Sequence, residues 1–422
     1  MKQIIDKYSK LRLASIVGVV FFALGLVLGN SLHFFTYKID STNNASDTNE
    51  VLDAKSKTSQ VALVPLPAQK LLLSDYYVPQ TFNNCGPAAL SMDFSYFGLS
   101  VDQETIADDV RPTHNLTGMN DDKSTMPDQI VAEGEKYGMV GYFRPGGSIT
   151  LLKQFIAAGI PIIVRTQFSL GDDFAHYRVI KGYEDATSTS AVAGNGQTGG
   201  QMDGQTGGQI IQEDGYQGKD VRFSYADFMT LWKPYNYQYM IIVPPAKQKL
   251  VEAILASSNS LDDKTAWINA AQADKKALLQ NPSDAVAGFD LSVALYYTGE
   301  YQQSVAEFQN MSAHLSPHLL WYQIEPIESY AALGSAQQVF ALTNAILSHG
   351  DPVFPSLYVL QGQMYAKEGN IAAARSAFEQ ALFYNKNFAS AQAGLSALLG
   401  LSVLNSSGSV NSSSSMDSPD KS

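Results

Sequence analysis

The chain carries a single cysteine, Cys85, in the segment YYVPQTFNNCGPAALSMDFSYFG, residues 76–98. Gly86 and Pro87 directly after it read as a tight turn into a helix, with Pro87 at the first helical position. Leu90, Phe94 and Phe97 recur at helical spacing and would bury one face. A thiol placed there sits at a helix N-terminus, where unpaired backbone N–H groups favour the thiolate. The thiolate is the nucleophilic form, and lowering the thiol pKa makes it available near neutral pH. Gln80 lies a short way upstream in the loop that leads into this helix. From there its amide can donate to the oxyanion of a tetrahedral intermediate, an interaction typically worth about 3 kcal/mol.

A thiolate nucleophile needs a base, and the chain has six histidines. His33 stands at the edge of an apolar N-terminal run, His114 in a polar loop, and His314, His318 and His349 in a helical region towards the C-terminus. His176 alone heads a strand-like run, AHYRVIKGY. A strand-borne imidazole facing a helix-borne cysteine is the papain-type geometry, in which the pair can exist as thiolate and imidazolium. One cysteine also excludes an intrachain disulfide and a thiolate metal cluster. This chemistry calls for no metal and no cofactor.

Gln80, then Cys85-Gly86-Pro87-Ala88, then His176 at a strand start form a pattern that resembles the bacteriocin-processing or double-glycine peptidases. These are family thirty-nine of the cysteine peptidases, within the papain-like superfamily. The resemblance covers about 72–244, and its specific parts are NNCGPAA and AHYRVIKGYEDA. It implies an α+β papain-like peptidase domain over residues 71–245 and peptide-bond hydrolysis through an acyl-enzyme. It further implies an Asp or Asn on the next strand that orients His176. Asp214, just ahead of Gly215, fits that place, although it follows His176 at a longer interval than the family's. The excess has a visible source in a low-complexity insertion, residues 187–209, which contains GQTGGQ twice. Such a loop can bulge from a hairpin without moving the flanking strands. Asp185, at the far end of the histidine strand, is the competitor. The expected catalytic set is therefore Cys85, His176, Asp214 and Gln80, acting on a peptide or protein substrate. Members that trim double-glycine leaders are fused to an exporter; no transporter segments are seen here, so leader specificity is not implied.

Elements able to position these residues are legible around them. The runs 161–168, 177–183 and 237–244 alternate or run apolar like strands, and helical stretches precede them. From residue 246 the strand signal gives way to Ala-rich helical patterns. Pro282, Pro317 and Pro352 recur there at one fixed interval, as do Gly299, Gly334 and Gly369. Proline ends a helix and glycine allows the tight turn between paired helices. The segment 358–382 resembles a tetratricopeptide repeat, so residues 246–400 are expected to form an all-α solenoid of such repeats. A solenoid of this kind offers a concave groove for a peptide or a protein partner.

The N-terminus begins with the basic tail 1–12, followed by an apolar stretch that reads as a transmembrane anchor over 13–35 and a polar linker over 36–70. The basic flank places the N-terminus in the cytoplasm and everything after the anchor outside it. Secretion after signal cleavage is the alternative. Residues 401–422 read as a disordered Ser-rich tail. With 28 Lys+Arg against 40 Asp+Glu and no basic run, nucleic acid is excluded as a partner. Two readings stand beside the peptidase: a thiol amidase or transpeptidase using the same residues, and a catalytically silent papain-like domain in an anchored interaction scaffold.

Overall fold

A computed structural model describes residues 64–113, 125–186, 207–349 and 352–408, without the side chains of 349 and 400–408. The α/β part begins with β1 (Gln69–Leu71) and the cysteine-bearing helix α1 (Cys85–Ser95). Every residue of α1 from Gly86 to Phe94 is buried, the polar Ser91 and Asp93 included, so the helix is enclosed on all sides. Pro87 is the third residue of α1 rather than the first, because the helix already begins at Cys85. A proline is tolerated there since the first-turn N–H groups have no intrahelical partner to lose. Helix α2 (Gln103–Val110) is capped by Asp102, whose carboxylate accepts from Glu104 N and Thr105 N. α3 (Pro127–Lys136) starts on a proline, and strand β2 (Val140–Arg144) follows it.

Helix α4 (Ile149–Ala157) is capped by Ser148, and strands β3 (Ile162–Gln167), β4 (Ala175–Asp185), β5 (Gly208–Asp214) and β6 (Gly218–Ser224) follow. Helix α5 (Tyr225–Trp232), capped by Ser224, leads to β7 (Tyr239–Val243). The strands form one antiparallel sheet in the order β2-β7-β3-β4-β5-β6, with β1 pairing the far end of β4. Alternation along β7 sends Met240 and Ile242 into a core with Leu90 and Phe94 of α1, and Tyr239, Ile241 and Val243 into a core with Phe155 of α4 and Phe228 of α5. A strand covered on both faces reads as an apolar run. That is why the runs 161–168, 177–183 and 237–244 stood out and lie on β3, β4 and β7. β2 and β6 are the sheet's two ends, half-buried or partly exposed, and their mixed sequences gave no such run.

The low-complexity insertion ends earlier than its composition suggests. Gly208 and Gln209 belong to β5, where Gln209 pairs with Glu184 on one side and Ser224 on the other. The remainder of that segment, 187–206, lies outside the described residues.

From residue 248 the described chain is helical: α6 (Gln248–Ser257), α7 (Asp263–Gln280), α8 (Ala285–Thr298), α9 (Tyr301–Met311), α10 (Glu325–Ala332), α11 (Ala336–His349), α12 (Pro355–Lys367), α13 (Ile371–Tyr384) and α14 (Ala389–Gly408). Gly299, Gly334 and Gly369 stand at or just past the ends of α8, α10 and α12 with φ of 85°, 72° and 78°, the left-handed region that closes helices. α14 runs to Gly408, past the expected boundary at 400.

The α/β part and the helical region share the compact unit Val61–Ser422. Polar side chains stitch them together. Arg165 Nη1 donates to Tyr322 O at 2.7 Å, Gln323 Nε2 to Pro234 O at 2.9 Å, and Asn385 Nδ2 to Val110 O at 3.2 Å. Phe143 of β2 meets Trp267 edge-on, and Trp267 stacks on Tyr297 at 3.9 Å. No helix among the described residues is long and apolar enough to cross a membrane. The expected anchor at 13–35, with the tail 1–12 before it and most of the linker after it, lies outside the described residues.

Candidate active site

Strand alternation accounts for the site's core. His176 and Arg178 of β4 lie two residues apart and so share a face. Neighbouring β5 runs antiparallel and ends at Asp214. Residues 38 apart in sequence are thereby neighbours: His176 Nε2 lies 2.8 Å from Asp214 Oδ1. Both side chains are buried, His176 to 3% exposure and Asp214 to 0%. Asp214 Oδ1 also accepts from Tyr216 N at 2.8 Å and Gln217 N at 2.9 Å, while Oδ2 accepts from Arg178 Nε at 2.8 Å. Burial pushes this carboxyl's pKa up. The hydrogen bond from His176, the charges of His176 and Arg178 and the Gln217 N–H outweigh it and hold the group well below the ordinary carboxylate range.

Asp185 is elsewhere. At the opposite end of β4 it accepts from Lys153 Nζ at 2.6 Å and Tyr225 Oη at 2.8 Å. The insertion shares that end: Ala186 N–H donates to Gly207 O at 3.3 Å, closing the hairpin where 187–206 depart. Replacing 187–206 by a two-residue turn should therefore leave the alkylation rate of Cys85 within about twofold of wild type. A larger loss, measured with iodoacetamide, would show that the insertion acts on the site.

Cys85 is half-buried at the first position of α1. Its thiol lies close enough to the His176 ring for each group to shift the other's proton affinity. Burial disfavours the thiolate, but the hydrogen bond and charge of His176, the backbone N–H of Tyr177 and the charge of Arg111 bring the thiol below its ordinary value. Burial likewise disfavours imidazolium, and hydrogen bonds to Asp214 and Cys85 overcome it, so the pKa of His176 is raised. Both shifts run in the direction that favours a thiolate–imidazolium pair.

Gln80 is fastened to the other side of the Asp214 turn. Its N–H donates to Gly215 O at 2.8 Å, and Tyr77 Oη donates to Asp214 O at 3.0 Å. A Cβ on Gly215 would sit 3.0 Å from Gln80 Cβ and 3.2 Å from Gln80 N, so a side chain there would have to push the two segments apart by a few tenths of an ångström. Gln80 Oε1 is buried with no hydrogen-bond partner among the described residues. Asn84, before the cysteine, spends its side chain on fixing the loop: Nδ2 donates to Gln103 Oε1 at 3.1 Å and Oδ1 accepts from Arg111 Nη1 at 3.0 Å.

Of the other histidines, His33 and His114 lie outside the described residues, and the side chain of His349 is not described. His318 belongs to the helical region, where Nδ1 lies 2.8 Å from Asp173 Oδ2. Arg178, Arg111, Tyr77 and Phe168 were not singled out in the sequence. Phe168 meets the His176 ring edge-on at 5.2 Å. Arg178 had a usable signal in its two-residue spacing from the histidine; the other three reach the site only through tertiary packing.

Residues 64–240 match the model of the Peptidase_C39 like family. That match supports a cysteine-peptidase kinship for this part of the chain. No curated protein matches the chain. Among solved structures, one from Bacillus anthracis described as a C39-like peptidase is similar at 16% identity and a TM-score of 0.31, covering 41% of this chain and 97% of that one. The peptidase domain of Streptococcus ComA, a bi-functional ABC transporter involved in a quorum sensing pathway, is similar at 21% identity and a TM-score of 0.27, covering 42% and 98%. A MamA RS-1 double mutant is similar at 12% identity and a TM-score of 0.27, covering 38% and 94%.

Proposed function

We propose that the C39-like part of this chain is a working cysteine peptidase that cleaves peptide bonds through Cys85, His176 and Asp214. The observation that carries the reading is the His176–Asp214 pair, Nε2 to Oδ1 at 2.8 Å, beside a thiol whose pKa is lowered while that of the neighbouring imidazole is raised. Cys85 Sγ attacks the scissile carbonyl. Nδ1 of His176, the nitrogen left over by Asp214, delivers the thiol's proton to the leaving amine. Water then attacks the thioester, the imidazole takes one of its protons as base, and the C–S bond breaks to release the acid and restore the thiolate. The N–H of Cys85 at the helix start and the amide of Gln80 supply the oxyanion's hydrogen bonds.

On the same reading, the apolar segment 13–35 holds the enzyme at a membrane with its folded part on the outer side. Its support is the basic flank at Lys2, Lys7, Lys10 and Arg12. The helical region acts as tetratricopeptide-like repeats that present a substrate or partner protein. Its support is the recurrence of helix pairs around Gly299, Gly334 and Gly369.

The test exploits the single cysteine. Alkylating the full-length protein with one equivalent of iodoacetamide, verified by a single mass increment, is expected to abolish hydrolysis of denatured casein. Casein cleavage that persists in fully alkylated protein would overturn the nucleophile assignment.

A further inference from the structure

Arg178 stands two residues beyond His176 on β4 and is buried to 1% exposure. Its guanidinium bonds along three edges. Nε donates to Asp214 Oδ2 at 2.8 Å, Nη1 to Gln167 O at 2.8 Å and to Thr166 Oγ1, and Nη2 to Phe168 O at 2.6 Å. The last three acceptors belong to the end of β3 and the start of its connection to β4. Phe168 in turn lays its ring edge-on to His176, and Gln217 Nε2 donates to Phe168 O at 3.4 Å. One planar cation thus ties the carboxylate on one side of the imidazole to the aromatic wall on the other. A rigid fork suits that task in a way a flexible ammonium does not.

We propose that Arg178 is a positioning residue of this site, holding Asp214 and the Phe168 turn in register around His176 and tuning the proton affinity of the imidazole by its charge. The groups that face the His176–Cys85 pair are Asp214 at the end of β5, Arg178 on β4 and Arg111 just after α2. Tyr77 Oη bonds the backbone of Asp214, and Glu213 occupies the other face of β5, paired with Lys181 at 2.5 Å. Asp214 alone would bind the imidazolium firmly and leave its proton hard to transfer. A second cation on the same carboxylate weakens that hold, and it also favours the thiolate. Coulomb interactions among buried charges this close move a pKa by about one unit or more.

The thiolate–imidazolium form exists between two pH limits, one where the thiol ionises and one where the imidazolium loses its proton. The rate of Cys85 alkylation by iodoacetamide between about pH 4 and about pH 10 reads both limits without any peptide substrate. Removing the cation makes thiolate harder to form and imidazolium easier to keep. Arg178→Met should therefore move both limits upward by about one pH unit. Arg178→Lys, which restores the charge, should bring them back towards wild type while peptide turnover stays depressed, because one ammonium cannot span all four acceptors. Arg178→Gln replaces the methionine variant if the latter lacks a cooperative thermal transition. A folded neutral variant with unmoved limits overturns the proposal, and so does a lysine variant that fails to bring them back. The proposal rests on the peptidase reading only for its effect on turnover. Casein cleavage surviving alkylation would sink that reading and leave the shift of the limits standing.

Discussion

Cys85→Ala is expected to lower casein hydrolysis by about 10⁴-fold or more, to the level of a blank, with a thermal midpoint close to wild type. The argument for a large kinetic effect is that alanine removes the atom proposed to form the acyl-enzyme. The hydrogen bonds of the oxyanion site alone return only a small part of the acceleration. The argument for a small structural effect is that Cys85 is half-buried at the first position of α1, and its removal deletes one sulfur while leaving the backbone turn intact. Activity within a factor of ten of wild type would mean that the chemistry belongs to another residue. An unfolded variant would be recognised by circular dichroism and replaced by Cys85→Ser, for which the same loss is expected.

Asp214→Asn should damage both activity and folding. The carboxylate accepts from four donors: His176 Nε2, Tyr216 N and Gln217 N at Oδ1, and Arg178 Nε at Oδ2. An asparagine can keep its oxygen among the first three only by turning its NH2 towards Arg178 Nε–H, donor against donor beside a buried cation. Breaking a buried pair in this way costs about 3–5 kcal/mol. Turned over, it presents NH2 to the imidazole and stabilises the wrong tautomer, a change worth about 10⁴-fold in turnover in a comparable triad. The expected result is therefore a fall in kcat of about 10²–10⁴-fold together with a clearly lower urea midpoint. Near-wild-type values of both would show that Asp214 neither orients His176 nor anchors Arg178.

The same carboxylate sets a pH signature. Its folded pKa is depressed, so its contribution to stability is complete above the unfolded value near ~4 and is lost as pH falls through the lower folded value. Wild type should lose stability below about pH 4 more steeply than the asparagine variant, which carries no such proton linkage. Parallel acid curves for the two proteins would contradict the assigned charge state.

Much of the site could be read before any coordinates. Cys85 followed by Gly86 and Pro87 announced a helix start, and local chemistry sufficed because the proline and the thiol lie in one short segment. His176 was identifiable by elimination and by the strand-like run it heads. The apolar strands were legible where both faces are buried, whereas β2 and β6, at the ends of the sheet, were not. Helix termini were legible only approximately: Pro87 is the third residue of α1, and α14 continues past 400, because capping and packing decide where a helix stops and composition does not.

The sequence by itself supplied the proposed nucleophile and the imidazole proposed to serve it, because residue type and immediate neighbours decide thiol chemistry. The tertiary structure alone decided which carboxylate meets that imidazole. Asp185 is nearer along the chain, but it sits at the opposite end of the same strand, held by Lys153 and Tyr225. Antiparallel pairing of β4 with β5 folds Asp214 back onto the histidine, whatever the length of the loop between them. Pairing also delivered Arg178 and Phe168 to the site, since strand register, which no local motif encodes, selects the neighbours of a residue.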